Sequence, residues 1–146
     1  AADEVGGPAK GALATAVYAD LGGSDWPTIR RAVYGGGRSR VAALTPLVAV
    51  AASRGDPDAL AVLGAAGTEL ARLATVVCSR IGQVLPVAVS GGVVRCGAPL
   101  LNALTAGLPA GADVTVATTS PVEAAARVAR QLAAGEAALP TPWLPN

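Results

Sequence analysis

The sequence predicts an α/β protein whose sheet is built by one strand–helix–strand–helix unit at residues 86–134. Residues 86–90 form a short apolar run, and paired glycines at 91–92 follow at once. This order is typical of a buried strand that ends in a turn. A helix is predicted over 98–106 and a second strand over 113–118. Because crossovers of this kind are right-handed and short, the two strands should lie side by side and parallel.

The last helix of this unit has the clearest start signal. Ser120 and Glu123 have the spacing of a capping box, and Gly135 ends the apolar pattern that follows. Two strands are too few for a stable sheet. We therefore expect the sheet to be incomplete, with further strands supplied by a segment upstream of Ala1. The absence of methionine from the sequence agrees with that expectation.

Residues 1–54 are predicted to be a lead-in and a small helical subdomain. The first helix covers 12–21 and ends at paired glycines. A second helix begins after Ser24 or Asp25 and is broken by the GGGR stretch at 35–38, and a third helix runs over 39–53. Residues 55–139 form the core unit, and residues 140–146 form a proline-rich tail.

The core unit opens with a long helix. Asp56 is a good N-cap, Pro57 fits the first helical position, and Gly82 stops the helix. Apolar residues recur between them at steps of three and four, which makes one continuous face. The small residues Gly64, Gly67 and Ala71 leave room on part of this face, so another helix or a sheet can approach closely.

Composition excludes several classes of function. The 146-residue chain carries a net charge of +1 with Lys10 as its single lysine, so nucleic acid is not an expected partner. No uninterrupted apolar run reaches the roughly 18 residues that span a bilayer, and we expect no membrane contact and a cytoplasmic location. Cys78 and Cys96 are too few for a disulfide scaffold, and their contexts indicate buried or semi-buried thiols.

The turn after the first predicted strand is the place where a ligand is expected. In open α/β sheets ligands bind beyond the carboxyl ends of the strands, and Gly91 and Gly92 would let a flat or charged ligand approach the main chain. A plain tight turn is the alternative. Ser90 stands in a sequence like a nucleophile elbow, but a chain without histidine lacks the usual base. Phosphate-loop, dinucleotide and metal-ligand motifs are all missing.

Four blocks resemble the C-terminal part of a known family when they are taken in order. They are RVAALTPLVAVAASRGDPDALAVL, AGTELARLATVV, PVAVSGGVVRCGAPLLNAL and SPVEAAARVA. Together they resemble the N-acetylglucosamine kinase and BadF/BadG/BcrA/BcrD-type ATPase family, which belongs to the actin-like ATPase superfamily. The Gly55–Asp56–Pro57 step is the most specific element.

The resemblance implies an incomplete, helix-rich lobe of the ribonuclease-H-like fold that closes over ATP with a missing N-terminal lobe. Gly91, Gly92 and Val93 would lie against the adenosine, with Ser90 beside them at the strand end. The implied activity is phosphoryl transfer from ATP to a sugar hydroxyl. The catalytic acid, the phosphate loop and the groups that hold Mg²⁺ would lie outside this chain, which is expected to contribute no catalytic residue or metal ligand. A homodimer is a further expectation, because the edges of an incomplete sheet invite pairing.

Three alternatives stay open beside the sugar kinase. The chain can be a non-catalytic module that binds nucleotide or a protein partner. It can be an activator-type ATPase of CoA-dependent dehydratases or reductases, although Cys78 and Cys96 do not match the paired cysteines that hold an iron–sulfur cluster in that branch. It can also be a structural helical domain in which the glycines only form turns.

Overall fold

A computed structural model describes residues 11–117 and 119–135 of the chain. Residues 1–10 of the lead-in predicted at 1–11 and the predicted tail at 140–146 lie outside them, and the division into subdomains at residue 54 stays a prediction. In chain order the described elements are α1 (Ala12–Leu21), α2 (Trp26–Ala42), α3 (Thr45–Ser53), α4 (Pro57–Ile81), β1 (Val87–Val89), a 3₁₀ segment (Gly91–Cys96), α5 (Ala98–Gly107), β2 (Val114–Val116) and α6 (Pro121–Ala133).

The predicted α/β class with a ribonuclease-H-like lobe is wrong. Helices account for 72% of the described residues, which hold one sheet of two three-residue strands. β1 and β2 are parallel, with Val87 opposite Val114, so the strand–helix–strand–helix order is present at 86–134 without a larger sheet. Pro86 and the paired glycines limit β1 at its two ends. Alanine and leucine, which are strong helix formers, fill the longer segments.

The long helix predicted after Asp56 is confirmed as α4. The Asp56 side chain accepts a hydrogen bond from the Ala59 N–H at 3.0 Å, and Pro57 occupies the first turn. Gly82 ends the helix in the left-handed conformation with φ 76°. Local capping chemistry therefore fixes both ends of this 25-residue helix.

Small residues let α4 and α5 approach closely at Gly67 and Ala71, as the sequence predicts, whereas a Cβ atom at Gly64 would meet nothing within 4 Å. Gly67 is buried against α5. A Cβ atom at this position would lie 2.8 Å from the Cβ of Ala103 and 2.9 Å from the amide nitrogen of Leu104. These two helices make the most extensive contact among the described elements. The buried side chains form two clusters, which hold Ala51, Ala52, Ala59, Leu63, Cys96 and Leu100 in one and Ala71, Val89 and Leu104 in the other.

The α2–α3 boundary differs from the prediction. The break predicted at residues 35–38 is confirmed, because Gly37 has non-helical backbone (φ 60°, ψ −158°), but a second helical piece of α2 follows it and continues to Ala42. The next helix begins at Thr45, with Pro46 in its first turn. Proline is tolerated in the first turn of a helix but not in its interior. Pro46 therefore places the start of α3 later than the predicted residue 39.

By length and composition alone, α4 would be able to cross a membrane. Core helices of soluble proteins meet the same criterion. This property therefore assigns no location, and the cytoplasmic location stays a prediction.

Candidate functional site

The candidate site begins where β1 ends and the chain turns away from the sheet. Val89 is buried, Ser90 is exposed with extended backbone (φ −140°, ψ 168°), and Gly91 has φ 77°. That φ lies in the left-handed region, where a side chain would be strained. The chain then enters the 3₁₀ segment. Gly91 is thus required by the turn itself.

Gly92 has a different role from its neighbour. It is not among the glycines with positive φ, so its backbone conformation is open to other residues. A Cβ atom added at Gly92 would meet no other atom within 4 Å. The absence of a side chain here leaves space beside the main chain, and that space forms part of a cleft.

The cleft lies between the 3₁₀ segment and the junction of α2 with α3. Its volume is about 430 Å³, which is within the range of roughly 300–1,000 Å³ of small-molecule sites. Most of its lining atoms are apolar, and the polar groups come from Thr45 and Arg95. The lining residues are Ala42, Thr45, Pro46, Ala49, Gly92, Val93, Arg95 and Cys96.

The structure brings together only part of the predicted set. Gly92 and Val93 line the cleft. Ser90 lines a separate depression of about 250 Å³ formed by β1, the 3₁₀ segment and side chains of α4 and α5. Gly91 is exposed and belongs to the lining of neither cavity.

Sequence reasoning missed the opposite wall of the cleft and its cation. Placing the start of α3 at residue 39 puts Thr45 and Pro46 inside a helix, whereas they form its first turn. The Thr–Pro pair is the signal that would have revealed this boundary. Arg95 stands three residues after Gly92 and is exposed, with a guanidinium group that can bind a phosphate or stack on an aromatic ring.

Asp56, the centre of the most specific motif, is a structural residue rather than a candidate catalytic acid. It is only 7% exposed, and its two oxygens accept hydrogen bonds from different helices. One oxygen accepts from the N–H of Leu13 in α1 and the other from the N–H of Ala59 in α4, each at 3.0 Å. These donors, that of Leu13 first, hold the pKa of Asp56 below its usual range.

Residues 11–117 and 119–135 contain no group of three or more histidine, cysteine, aspartate or glutamate side chains that could hold a metal ion. Cys78 and Cys96 are both buried and free, as predicted. Cys96 forms part of the cleft wall and of the core at the same time.

Comparison of the chain with protein-family models, with curated proteins and with solved structures finds no match. The resemblance of the four sequence blocks to the kinase and activator family therefore stays a prediction.

Proposed function

We propose that the chain binds an adenine nucleotide in the cleft beside Gly92. The observation that carries the proposal is the open cleft itself, in which one wall is main chain without a side chain at Gly92. A planar ring can lie close to such a wall, where a Cβ atom would hold it away. The predominantly apolar lining suits a nucleobase, because ligand pockets combine apolar walls with a few placed polar groups.

The polar residues of the cleft can recognise the rest of the nucleotide. Arg95 supplies a permanent positive charge for a phosphate group, and Thr45 supplies a hydroxyl that can donate or accept a hydrogen bond. Val93 and Pro46 contribute apolar surface on the two sides of the cleft. The described residues offer no acidic group there, so Mg²⁺ bound to the nucleotide would be held by groups outside this set.

At the finer level, we propose that the chain serves as the ATP-binding part of a sugar kinase, with N-acetylglucosamine as the model acceptor. This step is supported by the four sequence blocks and not by the fold. Phosphoryl transfer depends mainly on positioning and on charge stabilisation. In this scheme the chain positions the base, and a second lobe supplies the catalytic acid and the phosphate loop. A non-catalytic module that binds nucleotide through the same cleft is the competing proposal.

Nucleotide binding is tested by isothermal titration of the folded chain with ATP and magnesium. Gly92→Val should weaken ATP binding about tenfold or more, which corresponds to about 1.4 kcal/mol, because its side chain occupies the cleft. Arg95→Ala should weaken ATP binding and leave adenosine binding nearly unchanged. Gly64→Ala is the matched control, since Gly64 also has open space around it but lies outside the cleft lining.

Two outcomes would contradict the binding proposal. One is the absence of ATP binding by wild-type chain that shows its full helical signal. The other is equal ATP affinity in wild type and Gly92→Val. The kinase step is tested separately, by assaying N-acetylglucosamine phosphorylation in a protein that contains both this chain and the second lobe. Nucleotide binding without turnover there favours the non-catalytic module.

A further inference from the structure

One face of α4 is exposed although much of it is apolar. The opposite face packs on α3 and α5 through buried residues such as Leu63 and Ala71. On the outward face, Leu73 is 54% exposed, Val62 is 49% exposed and Val76 is 40% exposed. Exposed apolar side chains gathered on one face of a helix are a feature of interaction sites.

The outward face has an ordered distribution of size and charge. At 3.6 residues per turn, positions 58, 62, 65, 69, 72, 73, 76 and 80 share this side of the helix. Its N-terminal half carries small Ala65 and the acids Asp58 and Glu69. Its C-terminal half carries Leu73 and Val76 together with the bases Arg72 and Arg80, and Val62 is the one larger apolar side chain of the N-terminal half.

We propose that a second copy of this chain covers the outward face of α4, with the two α4 helices antiparallel about a two-fold axis near residues 69–72. In this arrangement Glu69 meets Arg72 of the partner subunit, and the symmetry repeats the contact. Arg80 of the partner subunit lies within one turn of Asp58, a distance that its long side chain can span. Val76 lies opposite Ala65 of the partner subunit, and Leu73, one turn earlier in α4, packs beside it, so larger side chains fill the space that the small one leaves.

The alternative occupants fit the face less well. A parallel pair would place Glu69 on Glu69 of the partner subunit and would leave a gap where two alanines meet. A lipid surface would have to accommodate charged side chains along the whole face, which is costly in hydrocarbon. These side chains are Asp58, Glu69, Arg72 and Arg80.

The dimer would also cover the groove beside this face. An apolar groove of about 580 Å³ lies between α4 and the α2–α3 junction, with Val62 and Leu73 on one side and Val41 and Val48 on the other. A partner helix that runs along α4 lies over this groove. Apolar side chains of α4 and of the α2–α3 junction would thereby lose their solvent exposure on dimerisation, which adds apolar burial to the charge contacts.

The first test is the mass of the chain in solution, by light scattering or sedimentation across a concentration series. We expect twice the 14.2 kDa of one chain. Leu73→Glu should raise the dimer dissociation constant at least tenfold without loss of helical signal. Val122→Glu is the matched control, because Val122 is 78% exposed on α6 and lies outside the proposed interface.

The second test distinguishes the proposed contacts between Glu69 and Arg72 of different subunits from the ion pair of the same two residues within one chain. Glu69 and Arg72 are paired within one chain at 2.8 Å, with both side chains more than half exposed. Glu69→Arg and Arg72→Glu should each weaken the dimer about tenfold or more. An equimolar mixture of the two variants should restore dimers, because both contacts between copies become attractive again. Arg54→Glu is the charge-reversal control.

Several results would overturn the proposal. They are a wild-type mass of one chain at every concentration, a Leu73→Glu variant that dimerises like wild type, and a mixture of the two charge variants that stays monomeric. Flotation of monomeric wild-type chain with neutral phosphatidylcholine vesicles would also overturn it, because lipid would then be the occupant of this face.

Discussion

Replacing Gly67 by alanine should selectively disrupt the packing of α4 against α5. The added methyl group would come within 2.8 Å of the Ala103 Cβ and 2.9 Å of the Leu104 amide nitrogen, and it would also collide with the backbone carbonyl of Leu100. Two of these three atoms belong to the backbone of α5. They cannot move away by rotating a side chain, so α5 itself must shift.

The size of the effect follows from two opposing terms. Overpacking a well-packed contact costs about 1–3 kcal/mol, and the clash with backbone places Gly67→Ala in the upper part of that range. Alanine in a helix interior gains about 0.5–1 kcal/mol over glycine. The variant should therefore lose about 1–2 kcal/mol of unfolding free energy, which lowers the Tm by about 2–8 °C in a domain of this size.

Gly64→Ala in the same helix is the matched control. Gly64 lies one turn earlier, and a Cβ atom there meets nothing within 4 Å. This variant should gain about 0.5–1 kcal/mol from helix propensity alone. Urea and thermal unfolding followed by circular dichroism measure both variants. If Gly67→Ala is as stable as Gly64→Ala, the two helices do not approach as described and the packing argument fails.

Two further predictions concern residues whose chemistry is local. The lowered pKa of Asp56 means that its stabilising effect is complete above about pH 4, the ordinary carboxyl value, and is lost as the pH falls through the lower pKa of the folded state. Asp56→Asn should therefore be less stable than wild type at pH 7, and its unfolding free energy should depend less on pH in acid. Identical acid-unfolding profiles would contradict the role of Asp56 as an acceptor for both α1 and α4. Gly91→Ala should lower the unfolding free energy by about 1–2 kcal/mol because of the φ of 77° at this position, whereas Gly92→Ala should leave it nearly unchanged. Equal losses in urea unfolding would contradict the separate roles of the two glycines.

The sequence predicts best those elements whose signals are local. The N-cap at Asp56 and the glycine at Gly82 define α4 within the chain itself, and the structure confirms both. The capping box of Ser120 and Glu123 is likewise confirmed, with reciprocal hydrogen bonds of 3.2 and 3.1 Å. Each of these three signals acts within four residues, and none of them depends on how the rest of the chain folds.

The fold class could not be predicted in the same way, because a sheet depends on partners distant in sequence. The apolar run at 86–90 is compatible with a central strand of a large sheet and with a three-residue strand beside one neighbour. The cleft poses the same difficulty. The sequence predicts Gly92 from its place after a strand, but Thr45 and Arg95 come together only through the packing of α3 against the 3₁₀ segment.

The attachment of α1 has a consequence for how the chain comes apart. No residue of this helix is buried, and polar contacts with other helices hold it at both ends. Leu13 donates to Asp56 at 3.0 Å near its start, and Asp20 near its end is bound by Arg40 of α2, through the carboxylate at 2.6 Å and the backbone oxygen at 2.7 Å. Such ties weaken in acid or in concentrated salt, while the α4–α5 contact does not depend on charge. The first helix should therefore detach as a separate cooperative unit under those conditions, with its amides exchanging while α4 remains protected.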